Sequence, residues 1–274
     1  MEKNVTYNFK LKMQSGERIF GQQIGPGNDP EQTVRTLKSF GFDFILVDLE
    51  HNLVNKETIY AYIRAAKEMD IPLLIRPEEK TANFRCYLDA GVNGVMTPRV
   101  DTVEEALYAV NESYFPPIGH RGYGIQANSY PLDSQSPAEV PFLALTEYIN
   151  TNTVVFPLTE SLEAISNLPH ILSLEGVTGT IVGTLDLVLD IGNINPKALM
   201  AEAITADLVD EKLRQVAKIC QDAGKVAGIG GFPPEGLARW AKEGYQLLFI
   251  PGYVVDGNVS DQQPRIEEVR SLIG

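Results

Sequence analysis

Short, nearly continuous apolar runs alternate along the chain with longer stretches in which apolar residues recur every three or four positions. The clearest run is FDFILVD, residues 42–48, which is rich in β-forming residues and ends at a polar cluster. This pattern is typical of a parallel strand that is buried on both faces. Seven other runs share it: 18–24, 72–76, 94–98, 153–158, 179–183, 225–230 and 247–251. The sequence therefore predicts eight strands.

Between these strands the apolar residues follow the spacing of one buried helix face. The helical stretches are 31–40, 56–69, 83–89, 103–111, 161–174, 207–222, 234–243 and 265–273. Several end at a glycine, as at Gly91 and Gly224, where a left-handed backbone commonly stops a helix. Eight strands in alternation with eight helices predict an α/β fold, a (β/α)8 TIM barrel, as a single domain over residues 1–274.

Two connections are longer than the others, 112–152 after the fourth strand and 184–206 after the sixth. Long loops that follow the strands of a barrel generally border the catalytic mouth.

Composition and charge narrow the classes of function. The chain has 274 residues, of which 44% are hydrophobic and 22% are charged, as is ordinary for a globular protein. Its 36 acidic residues outnumber its 23 lysine and arginine residues, and no basic block offsets the net charge of −13. Nucleic acid and anionic membranes are therefore poor partner candidates. Because the first twenty residues lack a signal-peptide core and Cys86 and Cys220 form no motif, we expect a cytoplasmic protein.

Ionisable residues gather where the predicted strands end. The active site of a barrel is built at the carboxyl ends of its strands, so these positions are the candidates for chemistry. From the second strand to the sixth they are Asp48, Glu50, His51, Arg76, Arg99, Glu160 and Asp186. Five consecutive strands would thus bring a base-like histidine, several carboxylates and two guanidinium groups to one rim.

Two of the carboxylates have alternative interpretations. Glu160 and Asp186 could be hard oxygen ligands for Mg²⁺ or Mn²⁺, with water and substrate in the remaining positions, or two solvated loop residues.

Gly228, Gly230 and Gly231 after the seventh strand could bind phosphate, but tight turns explain them equally well. No lysine follows a predicted strand, which argues against a Schiff-base mechanism.

The other rim candidates are also open to two interpretations. His51, three residues after Asp48, could be an acid/base group that this carboxylate orients, or a histidine satisfied within its loop. Arg76, at the end of an apolar strand, could bind a substrate oxygen, or form a salt bridge to Glu50 or Asp89.

Five segments carry longer motifs. They are GFDFILVDLEHNLVN (41–55), IRPEEKTANFRCYLDAGVNGVMTPRVDTVEEA (75–106), YFPPIGHRGYG (114–124), TESLEAISNLPHILSLEGVTGTIVGTLDL (159–187) and GKVAGI (224–229). Together they resemble the HpcH/HpaI family of metal-dependent, class II pyruvate aldolases over nearly the whole chain. The resemblance implies a barrel of the phosphoenolpyruvate/pyruvate-binding type.

The resemblance also implies roles for the rim residues. Glu160 and Asp186 would ligate a divalent metal ion, Mg²⁺, Mn²⁺ or Co²⁺. His51 with Asp48 would form the acid/base dyad, and Arg76 would bind the substrate and stabilise its enolate. The remaining family positions are Glu50 and Asp89, which would support the site, Arg121, for substrate binding, and the backbone of Gly183, Thr184 and Leu185, for the substrate carboxylate.

The implied reaction is reversible cleavage of a 4-hydroxy-2-oxo acid into an aldehyde and pyruvate, which reacts as a metal-bound enolate. A lyase or decarboxylase for another oxo acid and a barrel that binds oxo acid without turnover are the alternatives. The chain departs from the family at Leu158, where glutamine is usual, and at Thr184-Leu185, where the family has Pro-x. The family also implies a homohexamer, a trimer of dimers that exchange the last helix, about 262–274.

Overall fold

The chain forms a closed barrel of parallel strands in this computed structural model, which describes residues 5–25, 29–81, 83–125, 139–252 and 259–274. Each strand pairs in parallel with the next, and the last strand returns to pair with the first. The strands are β1 (Ile19–Ile24), β2 (Phe44–Asp48), β3 (Leu73–Arg76), β4 (Gly94–Thr97), β5 (Val154–Thr159), β6 (Gly179–Val182), β7 (Val226–Ile229) and β8 (Leu247–Phe249). The predicted (β/α)8 barrel is confirmed.

The described residues contain twelve helices around this barrel. They are α1 (Val5–Gln14), α2 (Pro30–Ser39), α3 (Lys56–Glu68), α4 (Arg85–Ala90), α5 (Val103–Ser113), α6 (Phe142–Asn152), α7 (Leu162–Leu172), α8 (Thr184–Ile191), α9 (Met200–Ala203), α10 (Asp207–Ala223), α11 (Pro234–Lys242) and α12 (Gln262–Ile273). Eight of them were predicted. Of the other four, α6 lies in the long connection after β4, and α8 and α9 lie in the one after β6. Residues 126–138 of the first connection fall outside the described residues.

The barrel interior is filled by side chains from its own strands. Phe44, Phe156 and Leu158 belong to one buried cluster there, and Leu158 is 2% exposed. A Cβ at Gly21 would lie 2.1 Å from the Phe44 ring, so a glycine at this point of β1 leaves the ring its place. Helix α1 closes the amino end of the barrel with Phe9, whose ring centroid is 5.6 Å from that of Phe44. The packed interior leaves the carboxyl ends of the strands for a site.

The helices end where glycine was expected to stop them. Gly91 after α4 and Gly224 after α10 have φ of +118° and +63°, in the left-handed region where any residue with a side chain would be strained.

At the end of the chain, α12 packs against α11, and Arg270 donates to the carbonyl oxygen of Gly41 at 2.6 Å. Exchange of this helix between subunits stays a prediction. None of the described helices has the length and apolar character needed to cross a membrane.

Candidate active site

A buried ion pair joins the ends of β2 and β3. Asp48 is fully buried and lies opposite Arg76 in the register of the two strands. The Nε of Arg76 donates to Asp48 Oδ1 at 2.7 Å, and Nη2 donates to Oδ2 at 2.6 Å. Gln23 and Asn52 donate to the same Oδ2, each at 3.0 Å. A bidentate, charge-assisted pair of this kind holds the guanidinium in one orientation at the rim.

Gln23 and Asn52 were not among the residues that the sequence analysis singled out. The available signal was weak, since Gln23 is a polar residue within the strand run 18–24 and Asn52 lies four residues after Asp48. Their amides donate further hydrogen bonds to a carboxylate that is buried in the barrel, where water does not reach it.

The loop after β2 carries Glu50 and His51 next to this pair. Asp48 Oδ1 accepts the backbone N–H of Glu50 at 3.1 Å and that of His51 at 3.5 Å. Glu50 Oε2 lies 3.3 Å from Arg76 Nε and 3.5 Å from Nε2 of the imidazole, whose side chain is 58% exposed. Burial raises the pKa of Glu50, while the charges of Arg76 and His51 oppose that shift.

In this structure the imidazole of His51 lies beside Glu50, and its predicted pairing with Asp48 stays a prediction. The ring contacts Glu50, and His51 reaches Asp48 through its backbone amide. The side chain of Arg76 donates to both oxygens of Asp48. Of the two salt bridges considered for Arg76, the one to Glu50 is observed.

Glu160 and Asp186 bring further negative charge to this rim. Glu160 directly follows β5 and is 6% exposed, and its Oε2 accepts the backbone N–H of Arg99 at 3.0 Å. Burial raises its pKa to about 7, the charges of Asp186 and Glu50 add to the shift, and the Arg99 N–H opposes it. A Cβ at Gly183 would lie 2.0 Å from Glu160 Oε1, so glycine there leaves room for the carboxylate.

The chemistry of these oxygens fits a hard divalent cation. A carboxyl whose pKa is raised by burial and, to a smaller extent, by its acidic neighbours is one that a nearby positive charge would stabilise in the ionised form. Within the described ranges no group of three histidine, cysteine, aspartate or glutamate side chains is arranged around a common metal position. An ion at Glu160 and Asp186 would therefore take its other ligands from water and substrate, as Mg²⁺ commonly does.

The turn from β6 into α8 lies beside Glu160. Gly183 is the N-cap residue of α8, and its carbonyl oxygen accepts the N–H of Leu187 at 3.0 Å. Thr184 is 5% exposed, and its Oγ1 has no hydrogen-bond partner among the described residues, while Leu185 is half exposed. The first N–H groups of a helix have no partner within the helix and can bind an anion. The predicted carboxylate position is compatible with this geometry.

A separate ion pair orders the loop after β4. Arg121 Nη2 lies 2.7 Å from Asp89 Oδ1, and Nε lies 3.2 Å from the same oxygen. Arg121 is 3% exposed, and its guanidinium stacks over Phe115 at 4.8 Å. Because this guanidinium is buried against Asp89, we propose a structural role for Arg121 in place of the predicted substrate binding.

The model of the family described as HpcH/HpaI aldolase/citrate lyase matches residues 26–229. The chain is similar to the 4-hydroxy-2-oxo-heptane-1,7-dioate aldolase of Shigella sonnei (strain Ss046), with 28% identity over 224 residues, 81% of this chain and 79% of that protein.

Two solved structures share the fold. The HpcH/HpaI aldolase from Desulfitobacterium hafniense DCB-2 has a TM-score of 0.78 and 24% identity, covering 96% of this chain and 95% of that one. The citrate lyase beta subunit from M. tuberculosis, complexed with oxaloacetate and magnesium, has a TM-score of 0.57 and 14% identity, covering 97% and 99%.

Proposed function

Because this chain belongs to the HpcH/HpaI aldolase/citrate lyase family, we propose that it is a metal-dependent aldolase. The proposed reaction is the cleavage of a 4-hydroxy-2-oxo acid into pyruvate and an aldehyde, and the reverse addition. The observation that carries the proposal is the meeting of an oriented guanidinium, Arg76, with the carboxylates of Glu50 and Glu160 at one rim. The similarity to an aldolase named for a 4-hydroxy-2-oxo acid supports this substrate class.

Glu160 and Asp186 would hold the divalent ion, which we propose to be Mg²⁺, Mn²⁺ or Co²⁺. The magnesium of the citrate lyase beta subunit with this fold supports a divalent ion here. When bound, such an ion supplies a Lewis acid at the 2-oxo group of the substrate.

Arg76 would stabilise the negative charge that develops on the substrate. In cleavage the C3–C4 bond breaks and its electron pair stays on the pyruvate fragment, which leaves as an enolate and then takes a proton at C3. A guanidinium that Asp48 has already oriented can donate to the enolate oxygen without reorganising. Asp48 therefore acts through Arg76 and through the turn that carries His51.

His51 would move the proton of the 4-hydroxyl group. In cleavage its imidazole takes this proton while the aldehyde carbonyl forms, and in addition it returns the proton to the new alkoxide. Its exposed position at the mouth gives the ring access to substrate, and the Glu50 carboxylate lies 3.5 Å from its Nε2. The acid/base pair that we propose is thus His51 with Glu50.

The amino end of α8 would bind the substrate carboxylate. The backbone N–H groups that follow Gly183 offer donors, and the buried hydroxyl of Thr184 offers one more. Because Asp186 lies in the first turn of the same helix, the carboxylate and the metal position would be neighbours.

A pyruvate-release assay tests the proposal. Several 4-hydroxy-2-oxo acids are incubated with the protein, with and without added Mn²⁺ and after removal of metal with EDTA. We expect pyruvate and an aldehyde in equal amounts, only with metal. Release of carbon dioxide would instead favour a decarboxylase, and binding of Mn²⁺ and pyruvate without any product would favour the barrel that has lost turnover.

We also propose that the chain is a homo-oligomer, a hexamer in the form of a trimer of dimers. Three leucines on α7 and α8 are exposed to solvent: Leu162, Leu185 and Leu189, the last with an exposed fraction of 76%. Exposed apolar side chains of this kind are typical of an interaction surface. The N–H of Leu162 donates to Asp190 Oδ2 at 2.7 Å, which ties the two helices together. Light scattering should give a hexameric mass that Leu189→Asp lowers, and a monomeric wild type would contradict the proposal.

A further inference from the structure

A cavity lies at the end of the barrel opposite the candidate active site. Its volume is about 320 Å³, and it is bounded by α1 and by residues that precede β6, β7 and β8. Lys10 and Gln14 line it from α1, Thr178 lines it ahead of β6, and Lys225 and Gln246 line it ahead of β7 and β8. The nitrogen-bearing side chains of three separate elements therefore meet in one space.

Among the described residues, the hydrogen-bond partners of the two lysines in this cavity are neutral. Lys10 Nζ donates to the carbonyl oxygen of Thr153 at 3.0 Å and lies 3.4 Å from the hydroxyl of Tyr114. Lys225 Nζ donates to the carbonyl oxygen of Val177 at 2.5 Å. Both lysines are half-buried, and neither has an ion pair with a carboxylate within the described part of the chain. This is unexpected in a chain whose acidic residues outnumber its basic ones by 36 to 23.

The two ammonium groups also disfavour each other. Burial, and after it the positive charge of Lys225, lowers the pKa of Lys10 to about 8. Burial lowers the pKa of Lys225 as well. Glu147 and Glu175 line a neighbouring cavity that shares Lys10 and Gln14 with this one, and neither glutamate lines the cavity that Lys225 borders. The cavity therefore holds like charges in partly desolvated surroundings, an arrangement that a bound anion would relieve.

We propose that this cavity binds a small oxyanion with two negative charges, of the sulfate or phosphate type, between Lys10 and Lys225. Lysine binds such groups as a point charge, and a dianion balances two ammonium groups where a single carboxylate would leave one uncompensated. A volume of about 320 Å³ is at the low end for ligand pockets, so it suits a small ion with its water better than a nucleotide. The site is independent of the proposed aldolase chemistry.

Sulfate is the probe, because it stays a dianion throughout the neutral pH range. Binding is measured by calorimetry at constant ionic strength, in wild type, Lys10→Gln, Lys225→Gln and the control Lys218→Gln, whose lysine pairs with Asp222 on the surface of α10. We expect one sulfate per chain in wild type and in the control, and at least a tenfold weaker affinity in each of the other two variants. Acetate should bind at least tenfold more weakly than sulfate to wild type, and inorganic phosphate should compete with sulfate.

Equal sulfate affinity in all four proteins would overturn the proposal, as would acetate that binds as tightly as sulfate. Because Lys10→Gln could disturb the packing of α1, crystals of the wild type soaked in selenate give an independent measurement. Anomalous signal between Lys10 and Lys225 is the expected result, and signal confined to the other end of the barrel is the contradicting one.

Discussion

The guanidinium of Arg76 donates hydrogen bonds to both carboxylate oxygens of Asp48, with Nε 2.7 Å from Oδ1 and Nη2 2.6 Å from Oδ2. The two residues face each other in the register of β2 and β3, so the sheet itself sets the pair. Asp48 is fully buried, and the Arg76 side chain is 11% exposed, so water competes little for either charge. A cationic donor fixed in this way at the mouth of a barrel is preorganised for an anionic reaction intermediate.

Replacing Arg76 should impair catalysis more than folding. An ammonium cannot reproduce the planar fork that spans two oxygens, so Arg76→Lys should lower kcat by more than about tenfold, corresponding to ~1.4 kcal/mol. The matched control is Arg64→Lys on the exposed side of α3, whose arginine pairs with Glu68 in the next turn. A loss in kcat smaller than tenfold would identify Arg76 as a structural partner of Asp48.

Removing Asp48 should instead lower the free energy of unfolding. Asp48→Ala leaves a nearly buried guanidinium without its main counter-charge, and we expect the free energy of unfolding to fall by about 3–5 kcal/mol. Urea denaturation measures the change. Asp222→Ala, which removes an exposed carboxylate paired with Lys218, should leave the urea midpoint unchanged. If both variants unfold at the wild-type midpoint, the buried pair contributes nothing.

The barrel could be predicted from sequence because local patterns define it. The run 42–48 predicted β2 within two residues at its start, and the glycines after α4 and α10 marked the helix ends. Helix α8 was missed because it follows β6 directly, and because its N-cap residue, Gly183, has no side chain that could mark a helix start in the sequence. Helix α1 was missed because its mixed charged and apolar residues do not present a clear apolar face.

The partners within the site are harder to predict, because they lie on different strands. A spacing of three residues between Asp48 and His51 suggested contact between their side chains. In the structure Arg76, 28 residues away along the chain, donates to both Asp48 oxygens, and the imidazole lies beside Glu50. The choice between Glu50 and Asp89 as partner of Arg76 likewise depended on the loop after β4, where Arg121 binds Asp89.

The metal assignment can be tested without turnover. Glu160→Gln and Asp186→Asn each remove one of the two proposed charged ligands, so each should largely abolish binding of Mn²⁺ in calorimetry. Asp190→Asn is the control, because it changes a carboxylate on the same helix α8 that binds the backbone N–H of Leu162. Wild-type Mn²⁺ affinity in both site variants would refute the assignment.

The raised pKa of Glu160 predicts how the metal-free protein responds to pH. A carboxyl whose pKa rises from 4.5 in the unfolded chain to about 7 in the folded one contributes stability that is complete below about pH 4.5. That stability is lost as the pH rises through about 7, and the full difference is on the order of 3 kcal/mol. Glu160→Gln should therefore gain stability relative to wild type between pH 5 and pH 8 when both are kept in EDTA. A stability difference that does not vary with pH would show that Glu160 stays ionised in the folded protein.

His51 is the residue for which the catalytic and structural interpretations differ most. If its imidazole transfers the hydroxyl proton, His51→Ala should slow cleavage roughly 10²- to 10⁴-fold while the affinities for pyruvate and metal stay near wild type. Exchange of the pyruvate methyl protons in deuterated water needs enolisation but no aldehyde, so it separates enolate formation from transfer of the hydroxyl proton. His170→Ala, at the exposed end of α7, is the matched control and should behave as wild type. Because the ring contacts Glu50, Glu50→Gln should also slow cleavage in the same assay, and less than His51→Ala does. Should His51→Ala cleave substrate at the wild-type rate at every pH between about 6 and 9, the imidazole is a loop residue, and the base must be sought at Glu50 itself.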